Sequence, residues 1–250
     1  MQDEQNRQNT EASAYAEDAS NKAIETCWYH YKWPTLIVVF FAVFFLIAFA
    51  QMGAKTEYDA HILYTGPSYL DGEVVADMLA SVEKAAVQSA AITENPADYS
   101  GDGVLSCDFN KLVYVSTQTA MEYRENDIYF NGATNLDARG QFDNLIMIGE
   151  YVILFIDQSL YDSTVDTGAF CKLADILDTV PENAYDECGI LLADLPIGTE
   201  NGFRQLPDDT VVCCRGKSYL NDVYKNVQEE GIYEAQVELF RQIVSYQRGE

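Results

Sequence analysis

Hydrophobic and polar positions divide the chain into three unequal stretches. From Trp33 to Met52 the run WPTLIVVFFAVFFLIAFAQM carries no charge and almost no polar side chain. In a helix the part from Trp33 to Ala50 rises by about 1.5 Å per residue and spans roughly 27 Å, close to the hydrocarbon thickness of a bilayer. A helix apolar on every side needs lipid or a deep core around it. The stretch before it, 1–32, is polar, rich in Ala, Glu, Gln and Asn, and shows no core-forming period beyond a weak helical one near Thr10–Thr26. The stretch after it, 53–250, is long enough for one domain with its own core.

Inside 53–250 the period switches between two and three-to-four. His61–Thr65 reads as a strand, Gly66-Pro67-Ser68 as a turn and Asp71 as a helix cap; Val75, Met78, Leu79, Val82 and Ala86 then mark one face of a helix. A strand is expected over Val104–Ser116, a loop or short edge structure around Glu122–Asn131, and a helix over Leu136–Ile148 stopping at Gly149. YVILFID (Tyr151–Asp157) and CGILLAD (Cys188–Asp194) are continuous apolar runs closed by an acid, the pattern of strands covered on both faces. Phe170–Val180 suits a helix halted by Pro181, Val211–Arg215 a further strand, and two helical pieces separated by Gly231 close the chain. Buried strands alternating with helices predict an α/β fold: an N-terminal transmembrane helix, then a three-layer α/β/α domain with a mainly parallel sheet.

Charge sharpens this picture. The chain has 40 acidic and 15 basic residues; 1–32 holds six and three of them, so 34 face 12 in the domain. Such an excess repels nucleic acid and anionic headgroups. Trp28, Tyr29, Tyr31 and Trp33 place amphipathic rings at the level of the headgroups, and Lys22 and Lys32 before the run against Lys55 after it favour a cytoplasmic N-terminus and an extracellular C-terminal domain. Ala48-Phe49-Ala50 also fits a signal-peptidase site, but the long, net-negative stretch ahead of the run favours an uncut anchor. Besides Cys27, five cysteines follow the run: Cys107, Cys171, Cys188, Cys213 and Cys214. An odd number, two of them adjacent, favours free buried thiols over a disulfide framework, with a single bridge as the alternative. Their spacing suggests no zinc site.

Several of these segments, YHYKW, HILYTG, DYSGDGVLSCDFNKLVYVS, the helix running into GEYVILFID, GILLADLPI and YEAQVELFRQIV, resemble a group of small uncharacterised single-pass membrane proteins of Gram-positive anaerobic bacteria. The ectodomains of that group look like one lobe of extracellular solute-binding proteins, which implies ligand binding or docking.

Candidate chemistry is sparse. Asp98, Ser100 and Asp102 occupy the first, third and fifth positions of a calcium-type loop, with Gly103 sixth, but Phe109 stands where the bidentate carboxylate belongs, and a Gly-rich turn explains the same residues. Ser81 and Lys84 match S-x-x-K without its companion motifs. His61 is the only histidine after the apolar run, and no nucleophile motif accompanies it. In open α/β sheets ligands lie beyond the carboxyl ends of the strands; there the sequence places Thr65, Ser68, Tyr69, Asp157 and Asp194, able together to bind an amine or a cation. The expectation is a membrane-anchored extracytoplasmic binding or docking domain, non-catalytic and without cofactor, with the membrane and another membrane or envelope protein as partners. An accessory subunit of a transporter or envelope assembly is the second reading. An acidic-site hydrolase using Asp157 and Asp194 is the third.

Overall fold

The computed structural model describes residues 33–49, 58–89, 94–217 and 231–248. The chain divides into two units, Met1–Thr56 and Glu57–Glu250. In the first, 33–49 is helical. Large apolar side chains from Trp33 to Phe49 are 49% to 69% exposed all round it, and its phenylalanines meet four residues apart, as in Phe41–Phe45 at 6.4 Å. Among the described residues no helix is long and apolar enough to cross a membrane. The described stretch ends at 49; residues 50–52 of the expected span and the tail 1–32 lie outside it.

The second unit is built on β1 (Ala60–Gly66), β2 (Cys107–Val113), β3 (Ile153–Asp157), β4 (Gly189–Leu191) and β5 (Thr210–Cys214) in the order β2-β1-β3-β5-β4. β1 pairs in parallel with both β2 and β3, whereas β5 runs against both β3 and β4. The fold is therefore α/β with a mixed sheet around a parallel core. The departure from a mainly parallel sheet has a simple origin. The parallel neighbours β1, β2 and β3 are joined through α-helices, the usual crossover; between β4 and β5 the chain makes three short 3-10 turns with no α-helix and comes back.

Alternate strand residues feed two separate cores. Ile62, Tyr64, Ile153, Phe155, Val212 and Cys214 meet Val74, Met78 and Val82 of α1 (Gly72–Ser89) and Val237, Leu239, Phe240 and Ile243 of α6 (Ile232–Ser245). Leu63, Leu154, Ile156, Val211 and Cys213 meet Phe142 and Ile146 of α3 (Gly132–Ile148) and Leu160 and Tyr161 of α4 (Gln158–Val165). Every residue of β3 is buried, as its unbroken apolar run requires. Burial on both faces is what fixes the register, since a one-residue slip would exchange the two sets.

Elements end where their caps say. Asp71 Oδ1 accepts from the N–H groups of Glu73 and Val74 at the start of α1, and Gly149, at φ 80°, closes α3 in the left-handed conformation that glycine adopts without strain. Three differences from the sequence-based expectations stand out. Ser116 caps a helix, α2 (Thr117–Glu125), where strand and then a loop or short edge structure were expected; α2 buries no residue, so it has no apolar period to read. Asp157 opens α4, which is almost as polar. The helix expected over Phe170–Val180 shrinks to α5 (Leu173–Ile176), because Phe170 instead bridges Arg215 beside β5. The first of the two closing helical pieces lies outside the described residues.

Candidate functional site

Because β1 and β3 are parallel neighbours, their carboxyl ends lie side by side, with Thr65 opposite Ile156. Tyr64 is fully buried, and its hydroxyl accepts a hydrogen bond from Ser68 N–H at 3.0 Å. A Cβ at Gly66 would sit 2.5 Å from that oxygen, so only glycine lets the ring lie under the turn. Burial pushes the Tyr64 hydroxyl up to about 12, with Asp157 adding to the effect. Ser68 Oγ donates to Gln205 O at 2.9 Å. Tyr69 is 80% exposed, with Lys111 Nζ 5.8 Å from its ring centre. Thr65 Oγ1 is buried without a hydrogen-bond partner among the described residues.

Asp157 ends β3 and is nearly buried. Its Oδ1 accepts from Ser159 N–H at 3.0 Å, Ser159 Oγ at 2.5 Å and Leu160 N–H at 3.3 Å, which is the work of a helix cap. Asp209 lies in the turn before β5: partial desolvation and then Asp157, with Asp208 and Glu122 adding to them, hold the Asp209 carboxyl above its ordinary range. Asp194 is exposed in the 3-10 turn after β4, with β5 between its strand and β3. Thr65, Ser68 and Asp157 thus gather at the carboxyl ends of the neighbouring strands β1 and β3; Asp194 follows the carboxyl end of β4, which runs the same way as β3 on the far side of β5. Asp209 was missed, although the PDDT run leading into VVCC was the visible signal.

The calcium-like loop spends its oxygens on itself. Asp98 Oδ1 accepts from Ser100 Oγ and Gly101 N–H, and Oδ2 from Gly103 N–H; Asp102 Oδ1 accepts from Val104 N–H. Among the described residues no group of three or more His, Cys, Asp or Glu side chains is placed to hold a metal ion. Ser81 Oγ donates to Asp77 O while Lys84 pairs with Glu200, so the S-x-x-K residues address other groups. His61 Nδ1 lies 3.3 Å from Asp108 Oδ2, which also accepts from Tyr151 Oη at 2.8 Å. Burial, and then that bond to Asp108, push the Tyr151 hydroxyl up to about 12.

The five described cysteines are free. Adjacent Cys213 and Cys214 point into opposite cores, as their places on a strand require. A hollow of about 600 Å³ lies away from the strand ends, lined by Ala80, Glu83, Lys84, Val87 and Gln88 of α1 and by Tyr246.

No protein-family model, curated protein or solved structure matches this chain.

Proposed function

We propose that the chain is a membrane-attached α/β domain that lies outside the cell, binds a ligand or partner at the carboxyl end of its sheet, and catalyses no reaction. The observation that carries attachment is the 33–49 helix, whose large apolar side chains are exposed on every side. Exposing that much contiguous apolar surface to water is unfavourable, whereas a bilayer covers it. The aromatic rings at the start of the run support membrane attachment, and Lys22 and Lys32 before it against Lys55 after it favour a cytoplasmic N-terminus. The resemblance to single-pass membrane proteins points the same way.

The carboxyl end supports binding through its charge. Desolvation and then the charge of Asp157 raise Asp209, and an amine or cation placed beside both carboxylates would offset these costs. Against hydrolysis stands the commitment of Asp157 to the cap of α4 and the separation of Asp194.

Two experiments test this reading. Membranes carrying the full chain are extracted with alkaline carbonate: retention in the pellet, lost on deletion of 33–52, supports attachment, and release of the intact chain overturns it. Spermidine serves as a cationic probe in thermal denaturation of the full chain in detergent. A rise in Tm that shrinks in Asp209→Asn but persists in Asp194→Asn supports the strand-end site; equal responses from both variants reduce it to bulk attraction by an acidic surface.

A further inference from the structure

Beside β5 the chain makes one more antiparallel contact. Phe170 bridges Arg215, Cys171 N–H donates to Cys214 O at 2.8 Å, and Gly216 N–H donates to Ala169 O at 2.9 Å. The bridge sets Cys171 directly opposite Cys214, although 43 positions separate them in sequence. Opposed residues at such a position keep their Cα atoms about 5.5 Å apart, inside the roughly 4.4–6.8 Å that a disulfide spans.

Their surroundings differ. Cys214 is fully buried, with Sγ 3.7 Å from Arg215 O. Cys171 is half-buried, and its Sγ lies 3.2 Å from Tyr233 Oη, which is also 3.1 Å from Arg215 O. The single phenolic proton can therefore serve the carbonyl or a sulfur anion. Arg215 is only 5% exposed, and its guanidinium donates to two carbonyls, Ile146 O and Gly216 O; among the described residues no carboxylate pairs with it. A buried cation with only neutral acceptors stabilises an anion formed nearby. The neighbouring Cys214 thiol, then Tyr233, with Arg215 adding to them, bring the Cys171 thiol down to about 6, while Cys171 and burial push Cys214 well up.

We infer that Cys171 and Cys214 form a redox-active pair that exchanges with a disulfide-bearing oxidant, Cys171 being the sulfur that the oxidant meets first. Cys171 thiolate attacks one sulfur of the oxidant R–S–S–R, forming a mixed disulfide and releasing one thiolate. Cys214 then gives up its proton to solvent and attacks Cys171 Sγ, displacing the second thiolate. Two protein thiols are oxidised to one disulfide, and the oxidant is reduced to two thiols. Low thiolate affinity for protons, partial exposure and an adjacent resolving thiol are the conditions such exchange requires. This goes beyond the binding reading above and does not depend on it.

The test uses the full chain in detergent, first reduced, then freed of reductant and exposed to oxidised glutathione. Remaining thiols are alkylated, and the protein is digested without reduction for peptide mapping. The expected product is a Cys171–Cys214 crosslink with the other four cysteines alkylated. Cys214→Ser should trap Cys171 as a mixed disulfide with glutathione, and Cys171→Ser should leave Cys214 reduced. A wild-type chain in which Cys171 pairs with another cysteine, or in which both thiols stay reduced while an exposed control peptide is oxidised, overturns the inference. A second readout needs no variant: iodoacetamide labelling of Cys171 should rise with a midpoint near pH 6, and a midpoint near the ordinary thiol value of about 8.5 contradicts it.

Discussion

The carboxyl end of β3 and the edge beside β5 both hold polar groups against an apolar core, yet they satisfy them in opposite ways. At Asp157 every hydrogen-bond partner comes from within three residues, so the carboxylate is a local device that starts α4. At Arg215 the guanidinium donates to Gly216 O beside it and to Ile146 O, 69 positions away, and Tyr233, 18 positions on, bonds its backbone carbonyl. A locally satisfied acid can be replaced at the cost of one cap. A charge satisfied through tertiary contacts ties several elements together, so its loss is felt by all of them.

The largest expected effect is therefore at Arg215. Arg215→Ala should destabilise the fold by roughly 2–4 kcal/mol, since it empties a buried site and orphans two carbonyls; urea unfolding measures it, and a cost below that of uncapping α4 breaks the comparison. Asp157→Ala comes next, at about 1–2 kcal/mol for loss of the cap, while Asp157→Asn, which can still cap, should cost only a few tenths. If Asn proves as harmful as Ala, the charge at the strand end matters for folding in its own right.

A pH effect sharpens the contrast further. The folded Cys171 thiol loses its proton more readily than an unfolded one, so the unfolded state binds more protons above about pH 6. Its stabilising contribution is absent below that pH, grows as pH rises, and is complete above the ordinary thiol range near 8.5. Cys214 and Tyr233 are shifted upward and oppose it only at higher pH. Urea midpoints between pH 6 and 8 should rise in the wild type and flatten in Cys171→Ser; identical slopes would remove the thiolate from the account. The smallest effect belongs to exposed Asp194, where Asp194→Asn should change stability by less than about 0.5 kcal/mol.

The same contrast explains what could be read from the sequence. β3 is legible because both its faces are buried, leaving an unbroken apolar run from Val152 to Ile156. α1 and α6 each bury one stripe and announce it by period. Neither α2 nor α4 does so, since α2 buries nothing and α4 buries only Leu160, Tyr161 and Thr164. The direction of β5 follows from how the turns after β4 fold back, which no local pattern records. The rule that strand ends converge places Thr65, Ser68 and Asp157 after β1 and β3, which are neighbours; that β5 separates β4, and Asp194 after it, from β3 could not be read, because the order of strands in the sheet is not written along the chain. The Cys171–Cys214 pair escaped for the same reason: its register exists only once Phe170 has met Arg215.

Attachment, strand-end binding and an oxidisable thiol pair all suit a domain held outside the cell. Protease treatment of intact cells, with lysed cells as control, tests that placement most directly. The account predicts loss of the domain beyond Lys55 from intact cells, with a protected fragment carrying the N-terminus and the apolar run. A domain that stays whole on intact cells and is digested only after lysis would contradict it.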